Sequence, residues 1–179
     1  MGEIQIKGLT IRKASLDDIN DMMPVYRAAQ KYMTENGNPN QWQKGFPDEN
    51  VIRGEVVRGV SHLVLEGNNV VAAFSLVPGE DPTYSKFYGK EGEGWLNDEP
   101  YCTIHKLASN GKVKGIFDIL LDFALQKTGN LRADTHDDNK TMQHLLLSRG
   151  FRFTGIIHLA NGSPRRAYHL VASQYHKYI

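Results

Sequence analysis

The stretch from Tyr101 to Phe117, YCTIHKLASNGKVKGIF, runs from a β-rich segment into a Gly- and Lys-containing turn that opens a helical pattern. The first backbone N–H groups of a helix have no intrahelical acceptor and sit at the positive end of its dipole. Lys114, Gly115 and Ile116 are therefore placed to cradle a phosphate, with Gly115 permitting close approach. A nucleoside-triphosphate loop would need GxxxxGK followed by Ser or Thr, and a dinucleotide fold GxGxxG; this turn has neither.

Just upstream, Tyr101, Thr103 and His105 alternate onto one face of the predicted strand. Histidine, with a reference pKa of about 6.5, suits a general base acting on an ammonium substrate. His105 and Tyr101 are thus the candidate catalytic residues, the competing reading of His105 being a hydrogen-bonded histidine inside the sheet. His136, at a strand end, is a weaker candidate. The seven histidines include no close pair with metal-ligand spacing, and Cys102 is the single cysteine, so no metal is expected. No GxSxG nucleophile turn is present, which excludes a Ser/His/Asp hydrolase of that type.

The turn resembles that of the GNAT superfamily of acyl-CoA-dependent N-acyltransferases. The hallmark there is Arg or Gln, two residues, Gly, one residue, then Gly or Ala; the corresponding positions here are Lys112, Gly115 and Phe117. The preceding SNGKVKG is similar to the histone-acetylating branch. Asn139, opening the next helix, and Gly150 with Phe151 at its end resemble the family's second donor-contacting segment. The resemblance implies that backbone groups near His105 and Leu107 pair with the pantetheine arm of acetyl-CoA. It also implies that Lys112, Val113, Lys114, Gly115, Ile116 and Phe117 hold the pyrophosphate and that Asn139 contacts the donor. In many relatives a tyrosine four residues before the Gly-Phe pair protonates the leaving thiolate; Leu146 occupies that position here.

On the acceptor side, the resemblance points to the segment carrying Tyr32, Gln41, Trp42 and Phe46. Tyr32 and Trp42 are the candidate substrate-binding residues, because aromatic rings can frame a cationic or apolar amine; ordinary packing is the alternative. Lys106, Arg149 and Arg152 are further candidates for the donor's phosphates.

These residues must be positioned by a regular framework. Apolar residues alternate at Ile4, Ile6, Leu9 and Ile11, predicting a strand strongest at Leu9 to Lys13. Ser15 and Asp18 have the spacing of a capping box ahead of a helix through Met33, with a kink or restart expected at Pro24. A second helix is predicted near Glu49 to Gly59, on a thin stripe of Val51, Ile52, Val56 and Val57. His62 to Glu66 and Val70 to Val77 read as a hairpin. Residues 78–100 form a long connection rich in Gly, Pro, Tyr and acid, either a binding loop or a solvated excursion. Then follow a strand from Tyr101, a helix from Gly115 to Lys127, a strand from Leu131 to His136 and a helix from Asn139 to Arg149. Two closing strands, Thr154 to Leu159 and Arg165 to Val171, flank the strong turn signal Asn161-Gly162.

Composition limits the alternatives. A chain of 179 residues suits one core better than two. With 21 Lys plus Arg against 20 Asp plus Glu, the net charge of +1 supplies no field to draw nucleic acid or an anionic membrane. No apolar run reaches the roughly 20 residues of a membrane span, and neither a signal peptide nor an internal disulfide is expected, which points to the cytoplasm.

The expected fold is α/β: a single GNAT-like domain with a mixed, mostly antiparallel sheet of about seven strands, splayed at the centre and flanked by about four helices. Its parts are an acceptor-side segment (1–78), a connecting loop (79–100), an acyl-CoA-binding core (101–151) and a C-terminal hairpin (152–173). The expected activity is transfer of an acetyl group from acetyl-CoA to the primary amine of a small molecule, with a homodimer as an open option. Alternatives are a non-catalytic acyl-CoA-binding or regulatory module, a protein N-terminal or lysine acetyltransferase, and an amine-binding protein that has lost its donor site.

Overall fold

The N-terminal alternation is carried by two strands rather than one. In the computed structural model, which describes residues 2–175, β1 (Ile4–Ile6) and β2 (Leu9–Lys13) pair antiparallel with Ile6 opposite Leu9. Lys7 and Gly8 between them both have positive φ (50° and 80°), the geometry of a tight two-residue hairpin turn. This extra hairpin makes the sheet eight-stranded.

The remaining elements follow the expected order. A 3-10 turn, Leu16–Asp18, leads into α1 (Ile19–Glu35), then come α2 (Glu49–Val57), β3 (Ser61–Glu66), β4 (Asn69–Pro78), β5 (Cys102–Ser109), α3 (Ile116–Ala124), β6 (Asn130–Thr135), α4 (Lys140–Ser148), β7 (Arg152–His158) and β8 (Pro164–Val171). The strand order is β1-β2-β3-β4-β5-β6-β8-β7. The chain falls into two compact units, Met1–Val77 with Ile104–Phe123, and Pro78–Thr103 with Ala124–Ile179. Among the described residues no helix is long and apolar enough to cross a membrane.

In the first unit, the start of α1 is fixed by Asp18. Its carboxylate accepts the Ser15 N–H (2.7 Å) and both Arg12 guanidinium nitrogens (2.7 Å each), and the Arg12 pair holds it well below the usual carboxylate range. α1 continues through Pro24 without a restart, and Gly37 (φ 80°) ends it one residue beyond its C-cap Asn36. α2 starts where Asp48 accepts the Val51 N–H (2.9 Å).

Strands β2, β3 and β4 are antiparallel, with Ser61 opposite Ser75, His62 opposite Phe74 and Leu63 opposite Ala73. The alternation sorts the two faces. Leu63, Ala73 and Ala108 join Met22 and Tyr26 of α1 and Ile52 of α2 in one core cluster. On the opposite face His62 stacks on Phe74 (5.2 Å), and Phe123 of α3 meets both edge-on.

In the second unit, β8 pairs antiparallel with both β6 and β7. The turn at Asn161-Gly162 joins β7 to β8 as its residue types predict, with Gly162 at φ 82°. The connection after β4 is not a free excursion. Tyr84 and Tyr101 are buried with Ile157 and Ala167, and Phe87 and Trp95 pack on them. The backbone N–H groups of Tyr88 and Gly94 donate to the carbonyls of Ile156 (2.8 Å) and Thr154 (2.9 Å). His169, fully buried, accepts the Leu96 N–H at Nδ1 (3.1 Å) and so donates from Nε2 to Asn130 Oδ1 (3.0 Å). The excess of acidic and turn residues had concealed how many aromatic anchors this segment carries.

Candidate active site

The segment that leads from β5 into α3 folds as its sequence suggests. Asn110 ties the end of β5 to β4, its N–H donating to the Val71 carbonyl (3.1 Å). Its side-chain oxygen accepts the Lys112 N–H (3.1 Å), while Ser109 Oγ accepts the Gly111 N–H (3.1 Å). These bonds bend the chain so that Lys112, Lys114 and Gly115 are exposed ahead of α3, with Val113 half-buried. Gly115 has φ 76°, and the space a β-carbon would take there is open. Ile116 and Phe117 turn into the core, 5% and 6% exposed. The large ring of Phe117 thus lies inward and leaves the outer side of the turn uncovered. Lys112 and Lys114 are the charged residues of the turn itself, and Asp118 is the one acidic residue of the first turn of α3.

Strict alternation along β5 ends before the turn. Cys102 to Ile104 are buried, His105, Lys106 and Leu107 are each half-buried, and Ala108 is buried again. Lys106 is the cause, with φ 50° in the middle of a strand, a conformation that bends the strand as a bulge does. His105 and Leu107 therefore flank an irregular backbone position, which simple period-two reading does not anticipate.

Lys106 is not available for a phosphate. Its ammonium lies 2.6 Å from the carboxylate of Glu55 in α2 and 5.9 Å from the centre of the Phe46 ring. Glu55 is buried, and its second oxygen accepts Ser75 Oγ at 2.5 Å. Close to this pair, burial and the charge of Glu55 raise the Tyr26 phenol above its ordinary pKa. Sequence reasoning passed over Glu55 because a single acid on a nine-residue helix reads as solvated surface. The only available signal was its place beside Ile52 and Val56 on the inward stripe.

Of the acceptor candidates, Tyr32 is 52% exposed on α1, whereas Trp42 is 8% exposed and packs against Tyr26 (6.2 Å) and the edge of Phe46 (6.4 Å). Trp42 is thus a core residue of the first unit, and Tyr32 and Phe46 present the accessible aromatic surface.

The other candidates belong to the second unit. Tyr101 is 9% exposed, its hydroxyl accepts the Asp81 N–H (2.9 Å), and its ring lies 3.9 Å from the Arg132 guanidinium carbon. The same guanidinium also lies 4.1 Å from the centre of the Trp95 ring. Asn139 caps α4, its side-chain oxygen accepting the Met142 N–H (3.0 Å). Leu146 is buried in α4, Arg152 pairs with Glu93 (2.8 Å), and Arg149 is buried and donates to Ser148 Oγ (2.8 Å). Cys102 is buried, which raises its thiol pKa and keeps it unreactive. Among the described residues no group of three or more His, Cys, Asp or Glu is placed to hold a metal ion.

No family model and no curated protein sequence matches this chain. Solved structures do. An acetyltransferase of the GNAT family from Streptococcus agalactiae is similar at 26% identity, over 93% of this chain and 97% of that one, with a TM-score of 0.82. A GNAT-family acetyltransferase from Listeria monocytogenes shares the fold at 16% identity, over 95% and 99% of the two chains, with a TM-score of 0.67. The ribosomal-protein-S5-alanine acetyltransferase of Vibrio fischeri shares it at 11% identity, over 99% and 100%, with a TM-score of 0.60. Nearly full-length agreement with the first of these joins the sequence of the β5-to-α3 turn in a single conclusion: the chain has the fold of the GNAT-family acetyltransferases and is similar to them along almost its whole length.

Proposed function

We propose that the chain transfers an acetyl group from acetyl-CoA to the primary amine of a small molecule. The observation that supports this most directly is the turn before α3, where exposed lysines and an open positive-φ glycine meet at the positive end of a helix. In this reading Lys112 to Phe117 hold the pyrophosphate, and backbone groups of His105 and Leu107 receive the pantetheine arm. Residues 101–151 are the donor-binding core, and residues 1–78 supply the acceptor side through Tyr32 and the aromatic rings near it. The working compartment is the cytoplasm.

The donor supplies an activated thioester; the chain must supply a neutral amine in register with it. We assign His105 as the base that takes the ammonium proton, since it lies half-buried beside the strand irregularity. A backbone N–H near His105 or Leu107 would stabilise the developing oxyanion. A thiol of ordinary pKa, about 8.5, leaves as thiolate near neutral pH without a dedicated acid. That fits the buried Leu146, and Tyr101, engaged with Asp81, acts here as a support for the start of β5.

The test is calorimetric titration with acetyl-CoA, followed by a free-thiol release assay over a panel of amines, amino acids and peptides. Binding with release dependent on a small amine is the expected result. Release dependent only on a peptide would assign a protein acetyltransferase, binding without release an acyl-CoA-binding module, and absence of binding would remove the proposal.

A further inference from the structure

Among the described residues two non-glycine positions have positive φ, and both are lysines. Lys7 lies in the β1–β2 turn, where this conformation is required. Lys106 lies within β5, where no turn demands it, and a side chain bearing Cβ disfavours it. Such a conformation persists when its surroundings over-determine it.

The surroundings here are specific. The Lys106 ammonium reaches 2.6 Å from Glu55, whose side chain is only 5% exposed. The other carboxylate oxygen is occupied by Ser75 of β4, and Arg58 approaches no closer than 3.8 Å from an exposed position. Glu55 is therefore fixed by α2 and by β4, and Lys106 is held to it. A buried ion pair is weak evidence for stability, because desolvation offsets much of its attraction. Its expected value lies in specifying one conformation.

We infer that Glu55 is a positioning residue: through Lys106 it locks the positive-φ conformation in β5, and so sets the direction of the backbone groups at His105 and Leu107. The consequence for donor binding rests on the function proposed above; the lock itself does not. Loss of Glu55 frees the lysine, the strand relaxes toward an extended conformation at position 106, and the groups that meet the donor turn away.

Two measurements test this. In Glu55→Leu without ligand, the Lys106 Cα and Cβ carbon shifts should move from the positive-φ range to the extended range; unchanged shifts would overturn the lock. If Glu55→Leu does not fold, the same shifts are read at position 106 in Lys106→Ala. The second measurement compares acetyl-CoA affinity in Lys106→Ala and Lys106→Gly, which lose the same ion pair and differ only in Cβ. Glycine adopts positive φ freely, so Lys106→Gly should bind at least tenfold more tightly than Lys106→Ala. Equal affinities would mean that backbone conformation is not what the pair controls. If the unaltered protein takes up no acetyl-CoA, the transferase reading falls, and the carbon shifts alone decide the lock.

Discussion

Gly92 passes so close to Thr154 that a β-carbon on the glycine would lie 2.3 Å from the threonine carbonyl oxygen. Gly94, two residues on, donates its N–H to that same carbonyl. A connection whose sequence allows either a binding loop or a solvated excursion is thereby laid onto β7 by backbone contact.

Gly92→Ala should accordingly be costly. Its φ of 82° strains any L side chain, and the obstacle is backbone, which cannot rotate away. The expected loss is about 3 kcal/mol or more, read as the urea midpoint. Gly162→Ala, with a similar φ and open space, should lose only about 1 kcal/mol. Equal losses at the two sites would contradict the close approach.

His169 gives a pH signature. Burial, reinforced by the nearby Arg132 charge, lowers its pKa to about 4 from the ordinary 6.5. The folded state therefore binds the proton less well than the unfolded state. Its contribution is unaffected above pH 6.5 and declines as pH falls toward about 4, by a total of the order of 3 kcal/mol. An imidazole carbon titration by NMR should show a midpoint near 4; a midpoint near the ordinary value would refute the assignment.

At the phosphate turn, Gly115→Glu should weaken acetyl-CoA binding at least tenfold by placing negative charge where phosphate is expected. Gly115→Asn is the control, because asparagine tolerates positive φ and adds no charge. It should retain the thermal midpoint within a few degrees and bind more tightly than Gly115→Glu. If Gly115→Glu binds as the unaltered protein does, the anion lies elsewhere.

His105→Ala should reduce turnover by about a hundredfold at mildly acidic pH. The deficit should narrow as pH rises and the free amine deprotonates without help. An unchanged pH profile of kcat/KM would remove His105 from the mechanism.

Much of the framework was legible along the chain because its causes are local. The helix starts at Asp18 and Asp48, the Asn161-Gly162 turn and the strand-to-helix passage at Gly115 each depend on the conformational freedom or hydrogen-bonding reach of one or two residues. Even there, a local rule erred where two short strands shared one alternation, since Ile4 to Ile11 keeps period two across the Lys7-Gly8 turn.

The sequence by itself thus determined the order of elements and the turn at Gly115, for a helix start and a positive-φ glycine are properties of a few consecutive residues. Only the tertiary structure decided that Trp42 is core, that residues 79–100 lie folded onto β7, and that Glu55 is buried against Lys106. Glu55 and Lys106 lie 51 positions apart, and what joins them is the packing of α2 against the sheet. Burial and charge pairing arise from such packing, so no local pattern encodes them.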